Sequence, residues 1–341
     1  MWCCGTYNNY AFAKADSTTA RVAPRKIVLM LTRRHLRIKV MQAVFAFQKQ
    51  RPDELKDLEK FLNTSMTQTF VLFLYMVQLL IEIHKLAEQR HKLATERFTG
   101  SDAVKNPSRA LIENKVLVEL SKSPAIKEAL RKRKLDPWHL DSAYVERLYE
   151  KIIMSKEFVV YASQENESIK KDQSFINTIF SEIIAPSDEL MDYLEDANIT
   201  WTDDYPLVNT EMIKFIRKVK VDKEIKLPEL VKDPDDIKFA MDLFRRTVLN
   251  MDELWARVDG KTPNWDSERI AQIDSVLIMM AQCEFLYFPS IPVKASLNEY
   301  LEISKDYSSP KSSVFINGIL DNLLKQFQQE DMINKIGRGT L

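Results

Sequence analysis

The stretch RRHLRIKVMQAVFAFQKQ (33–50) decides how the chain is read. It sets Leu36, Val40, Met41, Val44, Phe45 and Phe47 at three- and four-residue spacing, the period of an amphipathic helix, with Pro52 to stop it. Cationic and ring nitrogen groups crowd its start: Arg33, Arg34, His35, Arg37 and Lys39. With Arg33 at 0° on a wheel of ~100° per residue, the apolar stripe centres near ~20° and Arg37 falls near ~40°. Arg37 is therefore not on the solvent side. It must project past the end of a helical bundle or be paired. Arginine's planar fork suits phosphate and stacks on bases, where lysine offers only a point charge.

Helical periodicity continues from Arg33 to about Gln329. A long second helix is expected over Thr67–Arg97, with Gly100, Asn106 and Pro107 opening a loop behind it. Between Pro107 and Lys232, shorter helices are separated by turn signals at Ser123–Pro124, Asp136–Pro137, Ala185–Pro186, Tyr205–Pro206 and Leu227–Pro228. Four more helices follow. DPDDIKFAMDLFRRTVLNMDELWARV starts at Asp233 with Pro234 in its first turn, NWDSERIAQIDSVLIMMAQCEFLYF ends before Pro289, PVKASLNEYLEISKDY comes next, and SPKSSVFINGILDNLLKQF has Ser309 as N-cap and Pro310 after it. No strand pattern has comparable strength, so the fold class is all-α.

Composition narrows the function classes. The chain has 341 residues, 45% hydrophobic and 29% charged, enough for two domains or for one domain with a large insertion. Only six glycines serve it, four of them (Gly260, Gly318, Gly337 and Gly339) late in the chain, so no Gly-rich phosphate loop can be assembled. Three cysteines suit a reducing compartment. The apolar runs 70–83 and 276–288 are shorter than the ~20 residues of a membrane span and each contains Gln and Glu, which makes them core helices. Net charge is zero, yet residues 1–52 hold ten Lys/Arg against Asp16 alone. Such a basic segment is either a solvated terminus or the footprint of a polyanion contact. Residues 1–29 faintly resemble a transit peptide, but they read better as a stretch ahead of a true start at Met30.

Other constellations have plainer explanations. His84, Glu88 and His91 share a helical face, but Lys85, Gln89, Arg90 and Lys92 surround them, so a solvated face is expected rather than zinc. Cys283 has no neighbouring His and reads as a buried thiol. Asp233, Asp235 and Asp236 cap a helix, and Arg131–Lys134 closes one, with an auxiliary RNA contact as the other reading of that basic run. Neither a metal nor a cofactor is expected.

The two ends of the helical region resemble the NusB transcription antitermination factors. RRHLRIKVMQAVFAF is similar to the family's Arg-rich first helix, and PVKASLNEYLEISKDY with FINGILD (315–321) is similar to its closing signature. The similarity covers residues 31–50 and 233–329, about a third of the chain. It implies an all-helical double bundle that binds single-stranded box A RNA of ribosomal RNA leaders with the small-subunit ribosomal protein NusE, in the RNA polymerase antitermination complex. On this resemblance Arg33, Arg34 and Arg37 contact RNA, with His35, Lys39 and Gln42 beside them and Asn317 near the RNA and partner surface. It also implies a cytoplasmic protein that is not an enzyme: the family's relative among rRNA cytosine methyltransferases needs a cofactor turn and a nucleophilic Cys that are missing here. A homodimer stays open. The expected division is 1–29 extension, 30–52 first helix, 53–232 helical insertion, 233–330 C-terminal bundle and 331–341 flexible tail, a size similar to the enlarged members of the Bacteroidetes lineage.

Overall fold

The first helix forms where its period places it. In the computed structural model, which describes residues 30–51, 54–97, 109–164, 168–258 and 270–340, α1 spans Arg33–Gln50. Arg51 ends it in the left-handed region at φ 42°, its N–H bonded to the Phe47 carbonyl at 2.7 Å. Pro52, the expected stop, lies outside the described residues, as do the loop signals Gly100, Asn106 and Pro107.

Helix α2 spans Lys56–Arg97 and begins well before the expected Thr67. Leu58, Leu62 and Met66 carry an apolar stripe back at four-residue spacing, and Asp57 and Glu59 sit at the positive end of the helix dipole. The result is a rod of 42 residues, about 63 Å long. Two hydrophobic cores share it. Leu58, Leu62 and Met66 pack into the first, while Leu72 through Ala87 pack into the second. By length and composition α2 could cross a membrane, but 72% of its apolar window is buried inside the fold, which is how a core helix is used.

The second core closes around α2 with short helices: α3 (Arg109–Ile112), α4 (Lys115–Lys122), α5 (Pro124–Arg133), α6 (Ser142–Ile153), α7 (Lys156–Ala162), α8 (Ile169–Ile179), α9 (Asp188–Ala197) and α10 (Trp201–Ile216). Ser123 caps α5 ahead of Pro124, as its turn signal predicts. Tyr205–Pro206 does not behave that way, because Pro206 lies inside α10. At the sixth helical position it forfeits one bond near the helix start, and the tertiary anchors of that turn hold the helix together across it. Two indoles fix the middle of α2: Trp138 donates to the Tyr75 carbonyl at 3.1 Å and Trp201 to the Gln68 carbonyl at 3.0 Å. His84 is also part of this core. It is 4% exposed and bonded to the Ile112 carbonyl and the Ser121 hydroxyl, so it does not belong to the solvated face expected for it.

The first core is built by α1, the start of α2, α11 (Pro234–Leu249), α12 (Met251–Ala256), α13 (Gln272–Tyr287), α14 (Val293–Tyr307) and α15 (Ser312–Gln329). Asp233 caps α11 by accepting from the Asp235 N–H at 3.0 Å. The expected single helix over 233–258 is broken at Asn250, whose side chain donates to the Arg246 carbonyl at 2.7 Å and competes with helix continuation. Ser309 is not the N-cap of the last helix. Its hydroxyl meets that of Ser312, which in turn donates to Asp274 at 2.8 Å, and α15 starts from this anchor. Residues 331–340 are not a free tail. Lys335 donates to the carbonyls of Glu284 and Phe288 at 3.2 and 2.9 Å, capping the end of α13, and Gly339 passes so close to the Pro289 carbonyl that a Cβ there would sit 1.9 Å from its oxygen.

A buried polar seam joins the two cores. Lys39 of α1 pairs with Asp204 of α10 at 2.9 Å, both under 6% exposed, and Thr69 of α2 donates to the same carboxylate at 2.8 Å. Beside it the Met30 and Leu31 N–H groups bond the Glu229 and Leu230 carbonyls at 2.9 and 2.8 Å. Lys39→Met should therefore leave Asp204 buried without its counter-ion and cost ~3–5 kcal/mol in urea unfolding. The double variant Lys39→Met/Asp204→Met should recover most of that loss, and additive losses from the two single variants would contradict the coupling.

Candidate nucleic-acid interface

The opening turn of α1 is built by an unusual cap. Thr32 precedes the helix in an extended conformation, and its N–H donates to His35 Nδ1 at 3.1 Å, with the Thr32 hydroxyl at the same distance. His35 thus makes the reach-back that Glu or Gln makes in a capping box. Burial first, then the Lys39 and Arg34 cations, push its imidazole down to about 4, so the ring is neutral and free to accept.

Arg33 and Arg34 leave this turn on either side. The Arg33 Nε donates to Asp236 at 2.9 Å, and its guanidinium lies 5.1 Å from the Phe239 ring centre. Arg34 forks onto Glu299 through Nε and Nη2, at 2.8 and 3.0 Å. These side chains remain 46% and 41% exposed. A guanidinium carries five N–H donors, so most of those on Arg33 and more than half of those on Arg34 stay available to a ligand. Together with His35, Ile291, Ala295 and Glu299 they line an open cleft of about 560 Å³ between the starts of α1 and α14.

Arg37 reaches only the floor of that cleft. Lying in the apolar stripe it turns inward, is 3% exposed and donates Nε to Glu284 at 2.9 Å and Nη2 to the other carboxylate oxygen. Ser296 and Tyr300 donate to the same carboxylate, and Phe239 and Tyr300 cover the guanidinium at 5.2 and 5.8 Å. Burial works against the charge of Arg37, but the Glu284 carboxylate outweighs it and holds the guanidinium protonated. Burial, then Glu284, drives the Tyr300 phenol far up.

Of the residues singled out from sequence, then, Arg33, Arg34 and His35 come together at the surface. Arg37 and Lys39 do not, because each is consumed by a buried carboxylate. Gln42 donates to Asp203, which also accepts from the Tyr307 hydroxyl at 3.1 Å. Asn317 sits on α15, bonded to Asp321, and is not among the groups lining the cleft. Sequence reasoning read Asp236 as part of a helix cap and gave Glu284 and Glu299 no role at the site. Only Glu284 left a signal, as an acid within the apolar run 276–288. Cys283 is buried, its thiol pushed up to about 12 by desolvation, and no group of His, Cys, Asp and Glu among the described residues could hold a metal.

Two outcomes follow from this geometry. Because the folded-state pKa of His35 lies below its unfolded value of 6.5, the unfolded chain binds the proton first as pH falls. Stability should thus rise by up to ~3 kcal/mol between pH 4 and 6.5 and then level off. His35→Gln, which can still accept the Thr32 bond, should flatten that part of the profile; an unchanged slope would assign it to other groups. Separately, Arg37→Met should cost ~3–5 kcal/mol by stranding Glu284, whereas Arg33→Met should cost at most ~1 kcal/mol. Equal losses in thermal unfolding would contradict the division between buried and exposed arginines.

Comparison with known proteins agrees with this architecture. The family model for the NusB family matches residues 207–325, from within α10 to α15. The chain is 40% identical over 112 residues to the transcription antitermination protein NusB of Salinibacter ruber, covering 33% of this chain and 70% of that protein. It is 37% identical over 127 residues to the protein of the same name from Chloroherpeton thalassium, covering 36% and 60% of the two chains. For the one from Clostridium kluyveri the values are 38% over 90 residues, 26% and 58%. No solved structure gives a significant match. With the all-helical fold, the matched C-terminal bundle and this coverage of its relatives, the chain belongs to the NusB family, as a member larger than is typical of it.

Proposed function

We propose that this chain is a cytoplasmic, non-enzymatic transcription antitermination factor that binds single-stranded box A RNA with the small-subunit ribosomal protein NusE in the RNA polymerase antitermination complex. The observation carrying this reading is the pair Arg33 and Arg34, exposed at the mouth of one cleft with donors to spare. Their carboxylate partners preset the guanidinium planes, which lowers the ordering cost of binding. Arg37, Lys39 and Gln42 serve as positioning residues that hold α1 in place, and Asn317 belongs to the partner surface. In this reading α1, the start of α2 and the matched region 207–325 carry the family role, and the helices packed around the second core ahead of that region are an addition to it. Two exposed arginines neutralise few phosphates, so affinity alone should be modest and a partner that extends the surface supplies the rest. The size of the addition favours a second reading, a NusB-like RNA-binding scaffold in rRNA processing without antitermination.

Arg33→Gln/Arg34→Gln preserves helix propensity and disturbs only surface ion pairs. The variant should keep its helical circular dichroism and bind box A RNA about tenfold more weakly, with the slope of log K against log salt reduced by ~0.7 per lost phosphate contact. Gel shifts with and without NusE measure this. Unchanged RNA affinity in the folded variant would refute the site. Normal RNA and NusE binding without read-through in a transcription assay would support the scaffold reading.

A further inference from the structure

The basic run Arg131–Lys134, unused by α1, closes α5 beside a second cleft. About 480 Å³ in volume, it lies in the seam between α2, α5 and the corner where α9 turns into α10. Tyr75 forms its aromatic floor, half buried and held by edge contacts to Trp138 and Trp201 at 6.2 and 4.8 Å between ring centres. Arg133 stands on the other wall with its guanidinium 4.6 Å from the Phe70 ring centre. Two amides line the same space, Gln68 and Asn198. The Asn198 oxygen already accepts from the Thr200 N–H and hydroxyl, which leaves its NH2 to donate.

The charges are unevenly spent. Arg131 and Lys132 share Glu128, whereas Arg133 and Lys134 have no carboxylate partner among the described residues. Lys134 terminates the helix in the left-handed region at φ 53°, so the cations are presented at a fixed helix end rather than on a loose arm. An unneutralised guanidinium in the cleft with Lys134 next to it in the chain, an aromatic face and unspent amides match the three parts of a nucleotide in a single strand: phosphate, base plane and base edge. An acidic peptide would use the cations and leave the aromatic floor and the amides without a role.

This cleft is coupled to α1 through one helical turn. Trp201 opens α10, and Asp203 and Asp204 of the same turn take Gln42 and Lys39 of α1. The rise from Trp201 to Asp204 is only ~4.5 Å. We infer that the seam cleft is a second single-stranded RNA subsite, in which Arg133 and Lys134 hold phosphate and Tyr75, Gln68 and Asn198 receive a base. It rests on the RNA reading of α1 for the strand that it extends, and it gives the helices between α1 and α11 a binding role.

The test uses the full chain and two RNAs: a box A oligonucleotide and the same sequence with an oligouridylate arm on each side. In Arg133→Gln/Lys134→Asn, Asn accepts the left-handed backbone and α5 is otherwise untouched. Fluorescence anisotropy across a salt series should show unchanged affinity for the short RNA and about tenfold weaker binding of the armed one, its salt slope lower by ~1.4 for two lost contacts. A 4-thiouridine in the arm should crosslink to Tyr75. Equal affinity of this variant and the parent chain for the armed RNA overturns the inference, whether or not Arg33→Gln/Arg34→Gln weakens the short one. Loss confined to the armed RNA, with no effect of the α1 variant on the short one, sustains the seam subsite and refutes the α1 reading. Weakening of both RNAs alike in the seam variant also overturns it, since the subsite must act only on an extended strand.

Discussion

A guanidinium and a carboxylate meet where almost no water reaches: Arg37 is 3% exposed and Glu284 is fully buried. Either charge alone in that position would cost several kcal/mol, so the two helices carrying them are bound to each other by the need for neutralisation as much as by apolar packing. Four donor atoms complete the carboxylate, two from Arg37 and one each from Ser296 and Tyr300, so α1, α13 and α14 meet at a single acid. The pair also sets the rotation of α1. Residues four and three positions back lie ~40° and ~60° to either side of Arg37, and this places Arg33 and Arg34 on the two flanks of the inward arginine. Standing in the first turn, where the helix begins, both stay partly exposed although they share the face of Arg37. Lys335, donating to the Glu284 carbonyl, extends the same anchor to the C-terminal segment.

The helices between α1 and α11 are tied in by comparable means. One rod, α2, contributes to both cores, so the added helices grow out of a helix that the family-like bundle already uses. At the junction Asp204 takes Lys39 and Asp203 takes Gln42, both groups that would otherwise extend the polar face of α1. Enlarging the protein has buried Lys39 and left Arg33 and Arg34 as the exposed cations at the start of α1. It has also brought a second set of cations, Arg131–Lys134, to the other side of the seam.

Periodicity alone determined a good deal about this protein. An unbroken 3.6-residue pattern, few glycines and no alternating stretch specify an all-α fold, because these are local properties of the chain. The two end motifs were readable for the same reason, each being one continuous helix or a pair of them. Helix ends were less accessible where side chains from elsewhere intervene. Asp274, 38 residues from Ser312, shifts the start of α15, and Asn250 splits a helix that its apolar pattern would have continued.

Which cations remain for a ligand was decided only by the tertiary structure. The wheel placed Arg37 in the apolar stripe, and Glu284 stood as an acid in an apolar run, but 247 residues separate them and nothing local says that they meet. Lys39 is further from legibility, since its partner Asp204 is 165 residues away, ahead of the segment that matches the family. Burial, the quantity that separates Arg33 and Arg34 from Arg37 and Lys39, is a property of packed helices. A charge on a sequence has a sign and a helical angle; its partner, and so its availability, comes from the surface folded against it.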